Sequence, residues 1–135
     1  MRHKALFLLV FWIAPLISIA QLSLTIEIND LRNNHGHIRF ELNNEHKEQL
    51  AAISKTISGK KCVIVINNLK PGKYAFKFIH DENNNEKLDT NWIGIPKEGF
   101  GFSNNPNLTF GPPSFEKTVF ELSQSKVIDC KPKYY

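Results

Sequence analysis

The chain has 135 residues, 41% of them hydrophobic and 22% charged, with a formal charge of +4 and a pI near 9.1. This is ordinary globular usage, which argues against a disordered, collagen-like or polytopic membrane protein. The basic residues are scattered and form no dense run, so nucleic acid is not an expected partner.

Arg2, His3 and Lys4 make a positive start, residues 5–17 are an apolar run, and Ser18 and Ala20 put small residues where signal peptidase reads. The pattern predicts a signal peptide over residues 1–20, cut before Gln21, and export to the periplasm or the medium. An uncleaved anchor needs roughly 20 apolar residues to cross the hydrocarbon core. This run is shorter and is broken by Pro15, so no membrane span is expected after cleavage. Losing Arg2 and Lys4 with the leader lowers the formal charge to +2. Residues 21–135 are then long enough for one modest core, hence a single domain.

From Leu22 to Ile28 every second residue is apolar, which puts Leu22, Leu24, Ile26 and Ile28 on one face of a strand. Asn29, Asp30 and the Asn33-Asn34-His35-Gly36 cluster read as a turn. Residues 38–42 alternate again. Residues 46–58 fit helical spacing at Leu50, Ile53 and Ile57 and strand spacing at Ile53, Lys55 and Ile57; a short helical turn followed by an edge strand is expected. The continuous β-branched run over residues 62–66 suggests a strand buried on both faces or lying centrally.

Leu69-Lys70-Pro71-Gly72-Lys73-Tyr74 reads as a type II hairpin turn, with Pro71 fixing φ and Gly72 supplying a positive φ. Residues 74–78 then point large aromatics inward, and residues 118–122 and 127–130 read as two further short strands. Short strands separated by turn clusters, with no long helical repeat, predict an all-β antiparallel β-sandwich, immunoglobulin-like or transthyretin-like, of about seven strands with one long loop. Cys62 and Cys130 are the only cysteines, and in an exported protein they admit a disulfide if their strands lie adjacent. Closing so long a loop contributes about 4 kcal/mol on the chain-entropy view. The alternative is two buried thiols acting as small apolar residues.

Residues 81–91 carry the most specific chemistry. Counting Asp81 as position 1, side-chain oxygens fall at positions 1, 3, 5 and 9, namely Asp81, Asn83, Asn85 and Asp89, and the Lys87 carbonyl supplies another. Alternate side chains converging on one hard cation are how a calcium loop works, with about six to eight oxygens required. Asn91 or Glu98 would complete the shell. Position 6 is Glu86 where an EF-hand has Gly, position 12 is Trp92 where it has Glu, and no helix precedes the loop, so a calcium loop hung between strands is the closer comparison. A solvated turn whose Asn side chains cap their own backbone is the bland alternative. The expected affinity is weak, with Kd roughly 10⁻⁴ to 10⁻³ M.

Residues 92–115 show little strand alternation, and so long a connection is either functional or tied down. Trp92, Phe100 and Phe102, with Phe110 and Phe115, offer a stacking surface for a sugar or aliphatic ligand, unless they fold inward and anchor the loop.

Leu-x-Pro-Gly-x-Tyr resembles the hairpin of transthyretin-like and carboxypeptidase-regulatory-like sandwiches. The longer string from residue 69 to 115 includes His-Asp-Glu-Asn, Leu-Asp-Thr-Asn, Gly-Ile-Pro-Lys-Glu-Gly, Phe-Gly-Phe-Ser-Asn and Gly-Pro-Pro-Ser-Phe. It resembles the exported bacterial family catalogued as domain of unknown function 2141. That resemblance implies a sandwich and an envelope location, with no established activity. It also implies glycine where this chain has Asn84 and Glu86, hence weaker ion binding here.

His80 with Asp81 and Glu82, or Asp89 with Glu98, would be the acid–base pairs of a carbohydrate-active enzyme, but no nucleophile motif, phosphate loop or zinc spacing accompanies them, so an enzyme is not expected. The leading expectation is an exported, calcium-stabilised binding or structural module whose ligand is an envelope or extracellular protein or glycan. A small hydrophobic-ligand carrier is the other alternative.

Overall fold

The computed structural model describes Ser18 and residues 20–135. Apart from Ser18 and Ala20, the expected signal peptide lies outside the described residues. Eight strands follow: β1 (Leu22–Ile28), β2 (His37–Asn44), β3 (Gln49–Thr56), β4 (Cys62–Leu69), β5 (Gly72–Asp81), β6 (Gly99–Phe102), β7 (Phe120–Leu122) and β8 (Lys126–Cys130), with one helical turn, α1 (Phe115–Thr118), before β7.

They form a β-sandwich. One sheet has the order β4-β1-β8, the other β3-β2-β5-β6 with β7 also paired to β5. Pairing is antiparallel except between β1 and β8, which run parallel. The alternation in β1 does what its period demands: Leu22, Leu24, Ile26 and Ile28 are buried, and they meet Ile38, Phe40 and Leu42 of β2 and Phe76 and Phe78 of β5 across the interior. Phe76 is the hub, 5.3 Å from Phe40 and 5.9 Å from Phe120 between ring centroids.

Three local expectations are corrected. No helical turn forms after residue 46: the Asn44 side-chain oxygen accepts from the His46 and Glu48 N–H groups, closing a tight turn that leads straight into edge strand β3. The run at residues 62–66 is neither central nor buried on both faces. It lies in β4, an edge of its sheet with Val63 and Val65 exposed; the central strand there is β1. Residues 69–73 make no type II hairpin. Gly72 keeps an ordinary φ, the left-handed residue is Asn68 (φ 61°), and the segment carries the chain from one sheet to the other. The Tyr74 hydroxyl donates to the Lys70 carbonyl at 2.6 Å and pins that crossing.

Of the two states left open for the cysteines, the structure has the free thiols. Cys62 and Cys130 are both free and buried. Ile28 pairs with Cys62 on one side and with Cys130 on the other, so the two thiols lie two strands apart, roughly 10 Å across the sheet and beyond bonding reach. Burial, with Asp129 adding to it, pushes the Cys130 thiol up to about 11, so it behaves as an apolar core atom.

Residues 92–115 are not one open loop. Gly-Phe-Gly-Phe forms β6 on the edge of the larger sheet, opposite residues 77–80 of β5. Its glycines face inward because there is no room for more: a Cβ on Gly101 would strike the Phe78 ring, and one on Gly99 the Tyr134 ring. No helix among the described residues is long and apolar enough to cross a membrane.

Candidate functional site

The loop that leaves β5 is built on the outer face of the larger sheet. Phe76, Phe78 and His80 point into the core, so Lys77, Ile79 and Asp81 point out, as does Arg39, which lies opposite Ile79 on β2. Asp81 is nevertheless fully buried, because the loop folds back over it. One carboxylate oxygen accepts from Arg39 Nε at 2.6 Å and from the Glu86 N–H at 2.9 Å, and the other from the Asn85 N–H at 3.0 Å. Burial raises the Asp81 pKa, but these three donors and the Arg39 charge outweigh it, and the carboxyl lies below its usual range.

The next odd positions repeat the device. Asn83 Oδ1 accepts from the Asn85 N–H and Asn85 Oδ1 from the Lys87 N–H, each at 3.2 Å. The residues inside these two turns lie in left-handed backbone. Asn84 (φ 58°) and Glu86 (φ 70°) take it, the second at a steric cost that glycine would not carry. The side chains of Asn83, Asn85 and Asp89 meet as a result: Asp89 accepts from Asn83 Nδ2 at 2.6 Å and from Asn85 Nδ2 at 2.8 Å.

Glu98 anchors the loop from behind. It is 4% exposed, and its two carboxylate oxygens accept from the Glu82 N–H at 2.8 Å and the Asp89 N–H at 3.1 Å, tying the first turn of the loop to its far end. With both oxygens engaged on main chain, Glu98 lends no support to an acid–base pair with Asp89. Asn91 also turns elsewhere: its side-chain oxygen accepts from the Ile93 and Ile95 N–H groups, closing a separate turn. Of the seven residues singled out as possible ligands, Asn83, Asn85 and Asp89 come together at their side chains, Asp81 lies beneath them, Lys87 enters through its N–H, and Asn91 and Glu98 hold the flanks.

Several residues of this region carry no signal in the chain order. Arg39 is one, since only the β2–β5 register brings it to Asp81. Arg32 and Asn33 are two more, both donating at 2.8 Å to the Glu82 carboxylate. Burial raises the Glu82 pKa, but those bonds, the Arg32 charge and His80 more than offset it and hold the carboxyl low. His80 is fully buried beneath: Nε2–H donates to the His35 carbonyl, which can only accept, and Nδ1 meets the Tyr134 hydroxyl, each at 2.8 Å. Gly36 fits against the Asp81 carbonyl with no room for a Cβ.

The expected aromatic surface is divided. Phe100 is buried and stacks on Tyr135 at 6.0 Å, Phe102 meets Phe100 edge-on, and Trp92 stands free in solvent. Leu88, Pro96, Phe100, Phe102, Leu108 and Tyr135 line an apolar cavity of about 250 Å³ beside the loop. No group of three or more His, Cys, Asp or Glu placed to hold a metal occurs among the described residues, so any cation here would rest on asparagine oxygens as well as carboxylates.

The family described as "Uncharacterized protein conserved in bacteria (DUF2141)" matches residues 26–129, which covers the sandwich from the middle of β1 into β8 and all of the loop just described. No curated protein and no solved structure matches the chain.

Proposed function

The chain belongs to this family of uncharacterised bacterial proteins, and on that premise we propose that it is an exported module of the cell envelope whose loop after β5 takes calcium and so holds the following segment as a binding or structural surface. The observation that carries this reading is the meeting of Asn83, Asn85 and Asp89 within hydrogen-bond distance of one another, above Asp81. The donors are hard oxygens, which suit calcium and not zinc. Asp81, Asn83, Asn85 and Asp89 would hold the ion with the Lys87 carbonyl. What the ion supplies is positive charge where one half-buried carboxylate and two amides now satisfy each other.

Arg39 already supplies a charge to Asp81, and Glu86 stands in left-handed backbone, so the affinity belongs in the weak extracellular range, roughly 10⁻⁴ to 10⁻³ M. At a calcium concentration about ten times Kd the fold gains about 1.4 kcal/mol, which raises the melting temperature by about 5 °C. Calorimetry and thermal melts of the exported protein with CaCl₂ against EDTA test this, with Asp89→Asn as the control that should lose the effect. No heat and no rise in melting temperature at millimolar calcium would end the proposal.

A further inference from the structure

The side chains of the loop after β5 divide by parity. The odd positions Asn83, Asn85 and Asp89 turn to one another. The even positions are held by β2: Asn84 Oδ1 meets His37 Nδ1 at 2.5 Å, and the Glu86 carboxylate accepts from Arg39 Nη2 at 3.2 Å. Glu86 thus has an ion pair to set against the steric cost of its left-handed backbone.

Arg39 does more than hold Glu86. Its Nε–H donates to Asp81 Oδ2 at 2.6 Å, so one guanidinium fastens the first residue of the loop and the sixth to the same strand. Asp81 has no exposure, whereas the Arg39 side chain keeps 27% of its own. Arg39 and Glu86 line a cleft of about 340 Å³ on the outer face of the larger sheet, together with Glu41 and Lys77.

The two oxygens of Asp81 are unequally used. Oδ2 accepts from Arg39 and from the Glu86 N–H, whereas Oδ1 accepts from the Asn85 N–H alone. Each carboxylate oxygen offers about two acceptor sites, so Oδ1 is where a cation among Asn83, Asn85 and Asp89 would meet Asp81. That cation and the guanidinium would then sit on opposite oxygens of one carboxylate, roughly 5 Å apart by ordinary bond lengths. Repulsion between a double and a single positive charge at that separation weakens binding about tenfold even at the dielectric of bulk water. The shape of the loop does not depend on Arg39 in return. The Asn85 and Glu86 N–H groups still bend the chain onto Asp81, and Glu98 still ties Glu82 to Asp89.

We infer that Arg39 is a tethered counter-ion that competes with calcium. It occupies Asp81 and Glu86 in the ion-free loop and leaves Asp81 when calcium enters, turning along the cleft toward Glu41, which lies on the same face of β2. The inference rests on the calcium reading and adds its regulation: a strand that supplies no ligand sets the affinity of the loop.

The test is calorimetry with CaCl₂ on the exported protein and on Arg39→Met, with Lys77→Met as the control. Lys77 lines the same cleft but pairs with Glu41 and makes no hydrogen bond or ion pair to the loop among the described residues. Arg39→Met should bind calcium about tenfold more tightly than the parent, and Lys77→Met within about twofold of it. In the parent, the Arg39 Nε–H signal in proton–nitrogen NMR should move as calcium saturates the loop, a reading that stands even if Arg39→Met fails to fold. Equal or weaker binding by folded Arg39→Met would overturn the inference and leave the calcium reading intact. So would an Arg39 Nε–H signal that stays in place while the Asn83 and Asn85 side-chain signals move. No binding by the parent or by Arg39→Met would end both.

Discussion

The interior between the sheets and the loop that leaves β5 are adjoining regions held by opposite means. Between the sheets, Leu24, Ile26, Ile28, Phe40, Phe76 and Phe78 are joined by area alone, and any well-filled arrangement of similar volume serves. In the loop, three carboxylates do the holding: Asp81 gathers Arg39 and two N–H groups, Glu82 gathers Arg32 and Asn33, and Glu98 gathers two more N–H groups. The first region gives when atoms are removed. The second gives when a charge or a single oxygen is changed, and it is the one the calcium proposal concerns.

The largest expected effect breaks the first region. Phe76→Ala empties a site that touches both Phe40 and Phe120, and urea unfolding should show a loss of about 3–5 kcal/mol, against the roughly 5–15 kcal/mol of a typical domain. A loss under about 1 kcal/mol would mean the core closes over the gap. Glu98→Gln is nearly isosteric but replaces one accepting oxygen by a donor that faces an N–H. A cost of about 1–2 kcal/mol is expected, with faster hydrogen exchange at the Glu82 and Asp89 amides and unchanged exchange in β1. If β1 exchanged faster too, the loop and the core would be one cooperative unit and the contrast between them would fail.

The mildest effect near neutral pH comes from titration. The Asp81 and Glu82 carboxyls both lie below their usual values in the folded protein, so the unfolded chain binds protons first on acidification. Their contribution is complete above about pH 5 and is lost as the pH falls through about 4 and below. Arg39→Met should blunt that acid loss, since it removes one cause of the Asp81 shift. Stability that rose between about pH 5 and 3 would reverse the assignment.

Most of the sandwich is legible in period-two patterns. Leu22 to Ile28 and Tyr74 to Phe78 need only their own alternation. The departures share a physical cause, which is that a strand's neighbours are not written in its residues. Nothing in Cys62 or Cys130 says that Ile28 stands between them, and the β-branched run of β4 reads the same at an edge as at a centre. β6 is obscured because Gly-Phe-Gly-Phe alternates glycine with an aromatic, and the glycines answer to the Phe78 and Tyr134 rings, which come from distant parts of the chain. The loop's odd-numbered oxygens are visible from spacing alone, whereas Arg39 under Asp81 and Glu98 on main chain depend on strand register and the return of the chain.

Calcium titration followed by proton–nitrogen NMR tests the central claim most directly. The side-chain amides of Asn83 and Asn85 now donate to Asp89, and a cation among these side chains needs oxygens in those directions instead. At millimolar calcium the Asn83 and Asn85 side-chain signals and the Asp89 amide should move together, while the side-chain amides of Asn44 and Asn104, bonded to Glu48 and to the Lys117 and Val119 carbonyls, stay in place. Asn83 and Asn85 signals that hold still throughout the titration would contradict calcium binding by this loop.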